Sequence, residues 1–285
     1  MKITEREYNL VNITLGVLIL ASLSYIGLVL SRPSTPKESA KPRYNESRLS
    51  LTISPSLTTT GFNQDLGAIN QSIQIANQDK SLAETGLNYK SYQLAGLVNT
   101  AIELSRRLNL TALMGSELNG ATQLTTTQLA SLSHSVNVLR NQLNKYLTLV
   151  NNSSVPGAFN RAYDMLNAQY PAFSVLLPRI EMIKFADDQQ VNEIRLGELA
   201  AKLPTAIIAA GVQGVTTTDM YADLTTLSSD VSAGRSISLE VENSFLSAQS
   251  TITAMKTAML RLDSAQRDIA AAFNAAQTIV NDLMR

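Results

Sequence analysis

The residues best suited to chemistry are few, and one acidic group dominates them. Asp187 and Asp188 are adjacent, and Glu181 and Glu193 lie within six positions of them. Carboxylate oxygens are ligands that divalent cations such as Ca²⁺ prefer, so the group is a candidate cation site. It lacks the alternating acid spacing and the turn glycine of a calcium-binding loop. The pattern therefore predicts a solvated helix end rather than a metal site.

The amino-acid composition excludes several kinds of catalytic and metal site. The chain has 285 residues, no Cys and one His, His134. This excludes zinc sites of the Cys/His kind, disulfides and a Cys nucleophile. His134 lies two positions beyond Leu132 in a helical pattern, so we expect it on the solvent face. No nucleophile, base and orienting group can be named together, and the sequence predicts a protein that is not an enzyme and that uses no cofactor and no metal.

Two glycines, Gly211 and Gly214, follow an apolar stretch late in the chain. No Lys-Ser/Thr pair follows them and no strand pattern precedes them, so they do not form a phosphate-binding loop. They are interpreted as a connection that enters the last helix. The stretch Ala206–Val212 is too short to span a bilayer. We predict a buried helix end there, with a membrane-inserted loop tip as the alternative.

A membrane anchor is predicted near the N-terminus, after a short flank at residues 1–10. Val11–Leu30 is a run of twenty residues without a charge. At 1.5 Å per residue it spans about 30 Å, the thickness of a bilayer's hydrocarbon core. A cleaved signal peptide is the alternative. The run is longer than the apolar h-region of a usual signal peptide, no A-x-A site follows it, and Glu5 and Glu7 spoil the basic segment expected before it.

Residues 31–61 are predicted to be a linker, because they hold four of the eight prolines and many Ser and Thr residues. More basic residues follow the anchor than precede it, which alone favours a cytoplasmic C-terminal part. Long domains are often exported regardless of charge, and linkers of this composition commonly carry ectodomains. We therefore predict an external C-terminal domain. The candidate glycosylation sites are Asn45, Asn70, Asn109, Asn151 and Asn152, although an Asn-, Ser- and Thr-rich chain produces such tripeptides by chance.

Residues 62–285 predict an all-α fold, an elongated helical bundle or coiled-coil domain with very long helices. Apolar residues recur at alternating steps of three and four in the runs Phe62–Leu108, Leu129–Val150 and Leu224–Leu283. This spacing is typical of helices packed through an a/d seam. At 1.5 Å per residue, the first run predicts a helix of about 70 Å and the last one of about 100 Å. A monomeric bundle and an oligomeric coiled coil both fit the pattern.

The second and last runs supply the seam residues on which this prediction depends. They are Leu129, Leu132, Val136, Leu139, Leu143, Ile252, Met255, Met259, Leu262, Ile269, Phe273 and Val280. Within the last run, Gly234 and Ser238 are the expected position of a kink or break. Gln266 interrupts the same seam, either as a buried polar residue that sets register or as a surface residue.

Prolines predict shorter elements between the second and last runs. Pro171 and Pro178 each remove a backbone donor, and an interior proline bends or ends a helix. Residues 156–203 are therefore expected to fold as several short helices. The whole domain is predicted to have four helical layers, antiparallel where the loops are short.

An anchor, a linker and a helical bundle together predict a membrane-anchored structural protein, a stalk, tether or scaffold in a cell-envelope assembly. In general form this resembles the membrane-anchored coiled-coil stalk proteins of archaeal surface layers, although those carry the anchor at the other end. The opening Ile3–Glu7, followed directly by the apolar run, resembles the start of inner-membrane platform proteins of type II secretion and type IV pilus systems. A subunit of such an assembly complex is therefore one alternative, and a ligand-binding sensor ectodomain is another.

The partners predicted from the sequence are lipid and protein. The N-terminal helix would contact membrane lipid, and the bundle would form a homo-oligomer or join an envelope complex. Nucleic acid is not expected as a partner. Residues 62–285 hold 16 basic and 19 acidic residues and no basic face with interleaved aromatics.

Overall fold

The computed structural model describes residues 57–247 and 251–284, and this part of the chain contains six α-helices and no strand. The predicted all-α class and helical bundle are confirmed. The helices are α1 (Thr59–Leu87), α2 (Gly96–Gly120), α3 (Thr126–Asn151), α4 (Ala158–Val212), α5 (Thr218–Ser247) and α6 (Ile252–Asp282). The predicted anchor, Val11–Leu30, lies outside the described residues, as do residues 1–10 and 31–56. No described helix is both long enough and apolar enough to cross a membrane.

Four helices, α1, α4, α5 and α6, form an antiparallel four-helix bundle. The α1 helix runs opposite to α4, with Asp65 Oδ2 lying 3.2 Å from Lys202 Nζ near the start of α1. It also runs opposite to α6, with Lys80 Nζ 2.8 Å from Asp263 Oδ1. The α5–α6 pair is joined by Glu240 and an arginine of α6, Arg261, whose two carboxylate-to-guanidinium distances are 2.5 and 2.6 Å.

The first half of α4 extends beyond this bundle and packs with α2 and α3 into a three-helix bundle. Arg107 of α2 donates to the carbonyl of Leu166 in α4 at 2.7 Å. Gln169 of α4 donates to the side chain of Gln142 in α3 at 3.0 Å. The α3 helix begins with a capping box in which Thr125 and Gln128 satisfy each other's backbone N–H groups. The α4 helix thus belongs to both bundles.

The prediction of several short helices over residues 156–203 is wrong. The α4 helix is continuous for 55 residues and contains three prolines, Pro171, Pro178 and Pro204. Each proline removes one backbone hydrogen bond, but α4 packs against all five other described helices, and this packing stabilises it as one continuous helix. Pro178 is itself buried where α1 meets α4.

The first long run is also interrupted, because α1 ends at Leu87 and α2 begins only at Gly96. The intervening segment is not helical and is held by Tyr89, whose ring lies 5.0 Å from that of Phe173 in α4. Gly96 has a φ of 82°, a backbone conformation that favours glycine, and it allows the turn into α2. Tertiary packing therefore overrides a helical sequence pattern at this point.

The last run is two antiparallel helices rather than one of about 100 Å. The break lies between Ser247 and Ile252, and Thr251 caps α6 by accepting a hydrogen bond from the backbone of Ala254. Gly234 and Ser238, the expected break, lie inside α5 and are buried. They are small because neighbouring helices approach α5 closely there. A Cβ at Gly234 would lie 3.5 Å from the carbonyl oxygen of Ala265 in α6.

The predicted seam positions mostly face other helices of the same chain. Leu129, Ile252 and Phe273 are half-buried, and the buried ones are Leu132, Val136, Leu139, Leu143, Met255, Met259, Leu262, Ile269 and Val280. Gln266 is half-buried and donates to the side chain of Asn77 in α1. The buried apolar residues divide into two cores, one reaching Ala186 along α4 and the other starting at Leu196.

Gly86 is required where α1 crosses α4, which gives a test of this packing. A Cβ at Gly86 would lie 2.9 Å from Pro178 Cα, too close for either backbone to accommodate without moving. We expect Gly86→Ala to lower the free energy of unfolding by about 1–3 kcal/mol, as overpacking does. The measurement is denaturant unfolding of the full chain in mild detergent, followed by circular dichroism.

Gly67 is the matched control, since it lies inside the same helix and a Cβ there would meet nothing within 4 Å. Gly67→Ala should raise the free energy of unfolding by about 0.5–1 kcal/mol, because alanine is the better helix former. Equal effects of the two substitutions would contradict the close α1–α4 approach.

Candidate functional site

The centre of α4 carries a concentration of polar side chains that water does not reach. Every residue from Ile180 to Glu193 is buried, although buried charged residues are rare unless they are paired. We call the following nine residues the polar layer: Glu181, Lys184, Asp187, Asp188, Gln189, Gln190, Asn192, Glu193 and Arg195. Its later part separates the two apolar cores.

The overlap of the two bundles explains this burial. Over most of its length α4 has a solvent-exposed side, but near residue 187 the four-helix bundle and the three-helix bundle both surround it. The end of α2, the α2–α3 connection, α1, α5 and α6 all contact α4 in this region. A helix enclosed on every side must bury its polar residues, and each of these then needs a partner.

Lys184 is the cation at the centre of the layer, and its side chain is completely buried. Its ammonium group contacts Asp188 one turn further along α4 and lies 3.4 Å from Asp79 Oδ2 of α1. Asp187 Oδ2 is 3.9 Å away. Of these three carboxylates only that of Asp79 comes from α1, so the Lys184–Asp79 contact ties α1 to α4, and it is shielded from solvent.

Asp187 connects the layer to the three-helix bundle. Its Oδ1 accepts hydrogen bonds from the backbone N–H groups of Thr122 and Gln123, at 3.0 and 2.6 Å. Thr122 N also lies 3.0 Å from Oδ2. The carboxylate thereby satisfies backbone donors in the connection between α2 and α3, and it fixes that connection against the middle of α4.

The amides and Ser238 extend the layer to α5 and α6. Gln189 donates to the carbonyl of Leu262 in α6 at 3.0 Å, and Gln190 donates to Glu242 of α5. Ser238 of α5 donates to Glu193 Oε1 at 2.7 Å and lies 3.3 Å from Gln189 Oε1. Side chains of the layer on α4 therefore bind all three of the other helices in the four-helix bundle, α1, α5 and α6.

Two carboxyl groups of the layer have pKa values near neutrality. Burial, followed by the nearby charges of Glu117 and Asp79, raises the pKa of Glu181 to about 8, and Lys184 acts in the opposite direction. Neither carboxyl oxygen of Glu181 has a hydrogen-bond partner among the described residues. Burial also raises the pKa of Glu193 to about 7, which the hydrogen bond from Ser238 partly counters. Both groups therefore take up protons much more readily than an exposed glutamate.

A second buried ion pair holds the α1–α2 connection. Arg107 Nε and Glu103 Oε1 are 2.7 Å apart, and both side chains are fully buried. Tyr89 of the connection donates to the same carboxylate oxygen at 2.6 Å. Burial, with a further contribution from Glu103, raises the pKa of the Tyr89 hydroxyl. The Arg106 guanidinium lies 4.2 Å from the centre of the Tyr89 ring, within the range of a cation–π contact.

An open groove of about 400 Å³ lies between α2 and α3. Its polar lining consists of hydroxyl and amide side chains and one guanidinium. These residues are Thr111, Ser116, Asn119, Ser133, Asn137 and Arg140. The groove offers hydrogen bonds and one positive charge to a ligand.

The predicted solvated helix end at Asp187 and Asp188 is wrong, because both lie buried in the middle of α4. Their charges remain inside because Lys184 and backbone N–H groups compensate for lost hydration. Within the described ranges, no three acidic or histidine side chains are arranged to hold a metal ion. His134 is exposed on α3. Asn70, Asn109, Asn151 and Asn152 are also exposed, and Asn45 lies outside the described residues.

Sequence reasoning missed Lys184, Gln189 and Gln190 and the buried pair formed by Glu103 and Arg107. A usable signal was present in the spacing, since Glu103–Arg107 and Lys184–Asp188 are opposite charges four residues apart on one helix. That spacing is equally common on exposed helix faces. Only the surrounding helices distinguish the two situations.

Compared with known proteins, the chain matches no family model, no curated protein sequence and no solved structure. Its function must therefore be argued from its own residues.

Removal of Lys184 tests the central contact of the polar layer. Lys184→Met retains the length of the side chain but leaves Asp79 and Asp188 without the buried ammonium group. We expect the free energy of unfolding to fall by about 3–5 kcal/mol, as when one partner of a buried ion pair is removed. Chemical unfolding of the full chain in detergent measures the difference.

The control is Lys80→Met, because the partly exposed Lys80 also pairs with an aspartate, Asp263. This change should cost about 1 kcal/mol or less, the usual range for a pair near solvent. A comparable loss in both variants would contradict the special role of Lys184.

Glu181 predicts a dependence of stability on pH. Its pKa is about 8 when folded and 4.5 in the ordinary reference state. Between these values the folded chain binds more protons at this position than the unfolded chain, so the free energy of unfolding falls as pH rises. Glu181→Gln, which stays neutral, should reduce this decline by on the order of a few kcal/mol at most.

The measurement is the free energy of unfolding at several pH values between 5 and 8, the window between the unfolded and folded pKa values of Glu181 in which its contribution changes with pH. Glu198→Gln changes an exposed glutamate of the same helix and should retain the wild-type slope. A wild-type slope in Glu181→Gln would show that other groups control the pH dependence.

Proposed function

We propose that the protein is a non-enzymatic, membrane-anchored structural protein that serves as a stalk, tether or scaffold in a cell-envelope assembly. The observation that carries this proposal is α4, which continues for 55 residues through both bundles. At 1.5 Å per residue it is about 80 Å long. Because the two bundles share this helix and the polar layer fixes its neighbours, neither bundle can turn without bending α4. Such a rod is suited to holding two structures at a set distance.

The first and last described residues lie at one end of the four-helix bundle, which agrees with a spacer role. Leu57 lies two residues before the start of α1. At the same end of the four-helix bundle, Asn63 Nδ2 lies 3.6 Å from Met284 Sδ. The α3–α4 turn at residues 152–157 lies at the opposite end of α4. An anchor at Val11–Leu30 would join the bundle at the first of these ends. The turn would then project away from the membrane by up to about the length of α4.

In this proposed role the bundle lies on the extracytoplasmic side and is attached to lipid by the single N-terminal helix and a linker. A homo-oligomer or another protein of the envelope would bind the far end or the sides of the rod. Exposed Val98 and Ile102, one turn apart on α2, provide apolar contact area there.

A helical-bundle sensor ectodomain is a second candidate, favoured by the groove between α2 and α3. Its volume of about 400 Å³ lies in the usual range of small-molecule sites, about 300–1,000 Å³. A ligand there would contact α2 and α3, whose connection is fixed to the polar layer through Asp187. Binding could thus be communicated to α4.

Anchoring and orientation are tested together with a single introduced cysteine. The chain has no native Cys, so a thiol reagent that cannot cross membranes labels Val155→Cys alone. Val155 is half exposed in the α3–α4 turn. We expect labelling on intact cells and retention of the chain in membranes after an alkaline wash. Labelling only after lysis would place the bundle inside, and release by alkali would contradict the anchor.

A further inference from the structure

The end of the four-helix bundle nearest the predicted anchor is unusually apolar. Five large hydrophobic residues are exposed there, and we call them the apolar tip: Leu57 (49%), Ile208 (59%), Val212 (84%), Tyr221 (43%) and Met284 (48%). Val212 is the most exposed large hydrophobic residue of the described chain. The sequence prediction of a buried helix end over Ala206–Val212 is therefore only partly right, because Ile207 and Ala210 are buried while Ile208 and Val212 face outward.

Helix geometry places these residues together. Ile208 and Val212 are one turn apart and lie on the same face of α4. The chain then turns back through Gly214, whose φ is 90°, and Thr217 comes within 3.4 Å of the Cβ position of Gly211. Tyr221 follows in the first turn of α5.

The turn between α4 and α5 at the tip is uncharged, and the nearest charged residues along the chain are Lys202 before it and Asp219 after it. Residues 203–218 contain no charged side chain, so inserting this turn among headgroups and acyl chains desolvates no formal charge. Tyrosine is enriched at membrane–water interfaces because its ring is apolar and its hydroxyl is polar. The exposed Tyr221 lies just beyond this uncharged stretch.

The chain outside the described residues identifies the occupant. Twenty-six residues, 31–56, separate the predicted membrane helix from Leu57. The predicted flexible linker of that length would have an average end-to-end distance of about 30 Å, which would keep the bilayer close to this end of the bundle and raise its effective concentration there. The same stretch contains the basic residues Arg32, Lys37, Lys41, Arg43 and Arg48 against Glu38 and Glu46, and this excess of positive charge favours contact with anionic headgroups.

We propose that the apolar tip docks on the bilayer to which the chain is anchored, with Ile208, Val212 and Tyr221 entering the interface. This inference rests on the proposed membrane anchor. Two attachments, the helix and the tip, hold the rod upright, whereas a linker alone leaves its angle to the membrane undefined. The docked tip thus gives the spacer a defined height.

The test uses the full chain in vesicles of phosphatidylcholine and phosphatidylglycerol, with a single fluorophore on Val212→Cys. Vesicles that contain doxyl-labelled lipid should cause a loss of fluorescence at residue 212. The matched control is Val155→Cys, an exposed valine at the other end of α4, whose fluorescence should not change. Adding Ile208→Ser to Val212→Cys should weaken the quenching, and adding Leu260→Ser, an exposed leucine on the side of α6, should not.

Flotation of the same samples separates this inference from the proposed function. Vesicle-bound chain with no quenching at residue 212 would overturn docking while leaving the anchor intact. Chain that does not float would overturn both. Fluorescence at residue 212 that changes with protein concentration in detergent, and not with doxyl lipid, would assign the tip to a second copy of the chain and overturn docking.

Discussion

A charge buried inside a helical bundle must be compensated within the bundle, and Lys184 imposes this constraint on the centre of the protein. Its ammonium group is out of reach of water and lies among carboxylates of α1 and α4. Removing an ion from water costs several kcal/mol, and only good geometry with opposite charges offsets this. The relative positions of α1 and α4, and through Asp187 the position of the α2–α3 connection, all depend on satisfying this one group.

The polar layer also fixes the register of the helices, that is, how far each one is shifted along its neighbours. Seams built from Leu, Ala and Met tolerate sliding, since one apolar contact replaces another at similar free energy. Hydrogen-bond donors and acceptors match in one arrangement only, and a buried polar residue is a known means of specifying register. Gln189 bonds to Leu262 on α6 and to Ser238 on α5, and Gln190 bonds to Glu242 on α5. The layer therefore aligns the two apolar cores on either side of it.

The centre of α4 stays enclosed because its neighbouring helices approach it closely. Gly86 allows α1 to contact the backbone of α4 at Pro178, and Gly234 allows α5 to lie against Glu193 and α6. Bulkier residues would separate the helices and admit water to charges whose pairing depends on its exclusion. Continuity of α4, burial of the polar layer and small residues at the crossings thus depend on one another, and together they give the rod its rigidity.

The all-α class and the helical bundle were predictable from the sequence, because a three-and-four spacing of apolar residues reports directly on helix faces. Helix ends and the site were not. The segment after Leu87 leaves the helix because Tyr89 finds partners in α2 and α4, and α4 passes through Pro171 and Pro178 because its neighbours support it. Adjacent aspartates such as Asp187 and Asp188 are typical of a solvated surface, and nothing in the neighbouring sequence indicates that these two are buried. Their burial depends on two bundles meeting around α4, which is a property of contacts between residues far apart in sequence, and only the tertiary structure decides it.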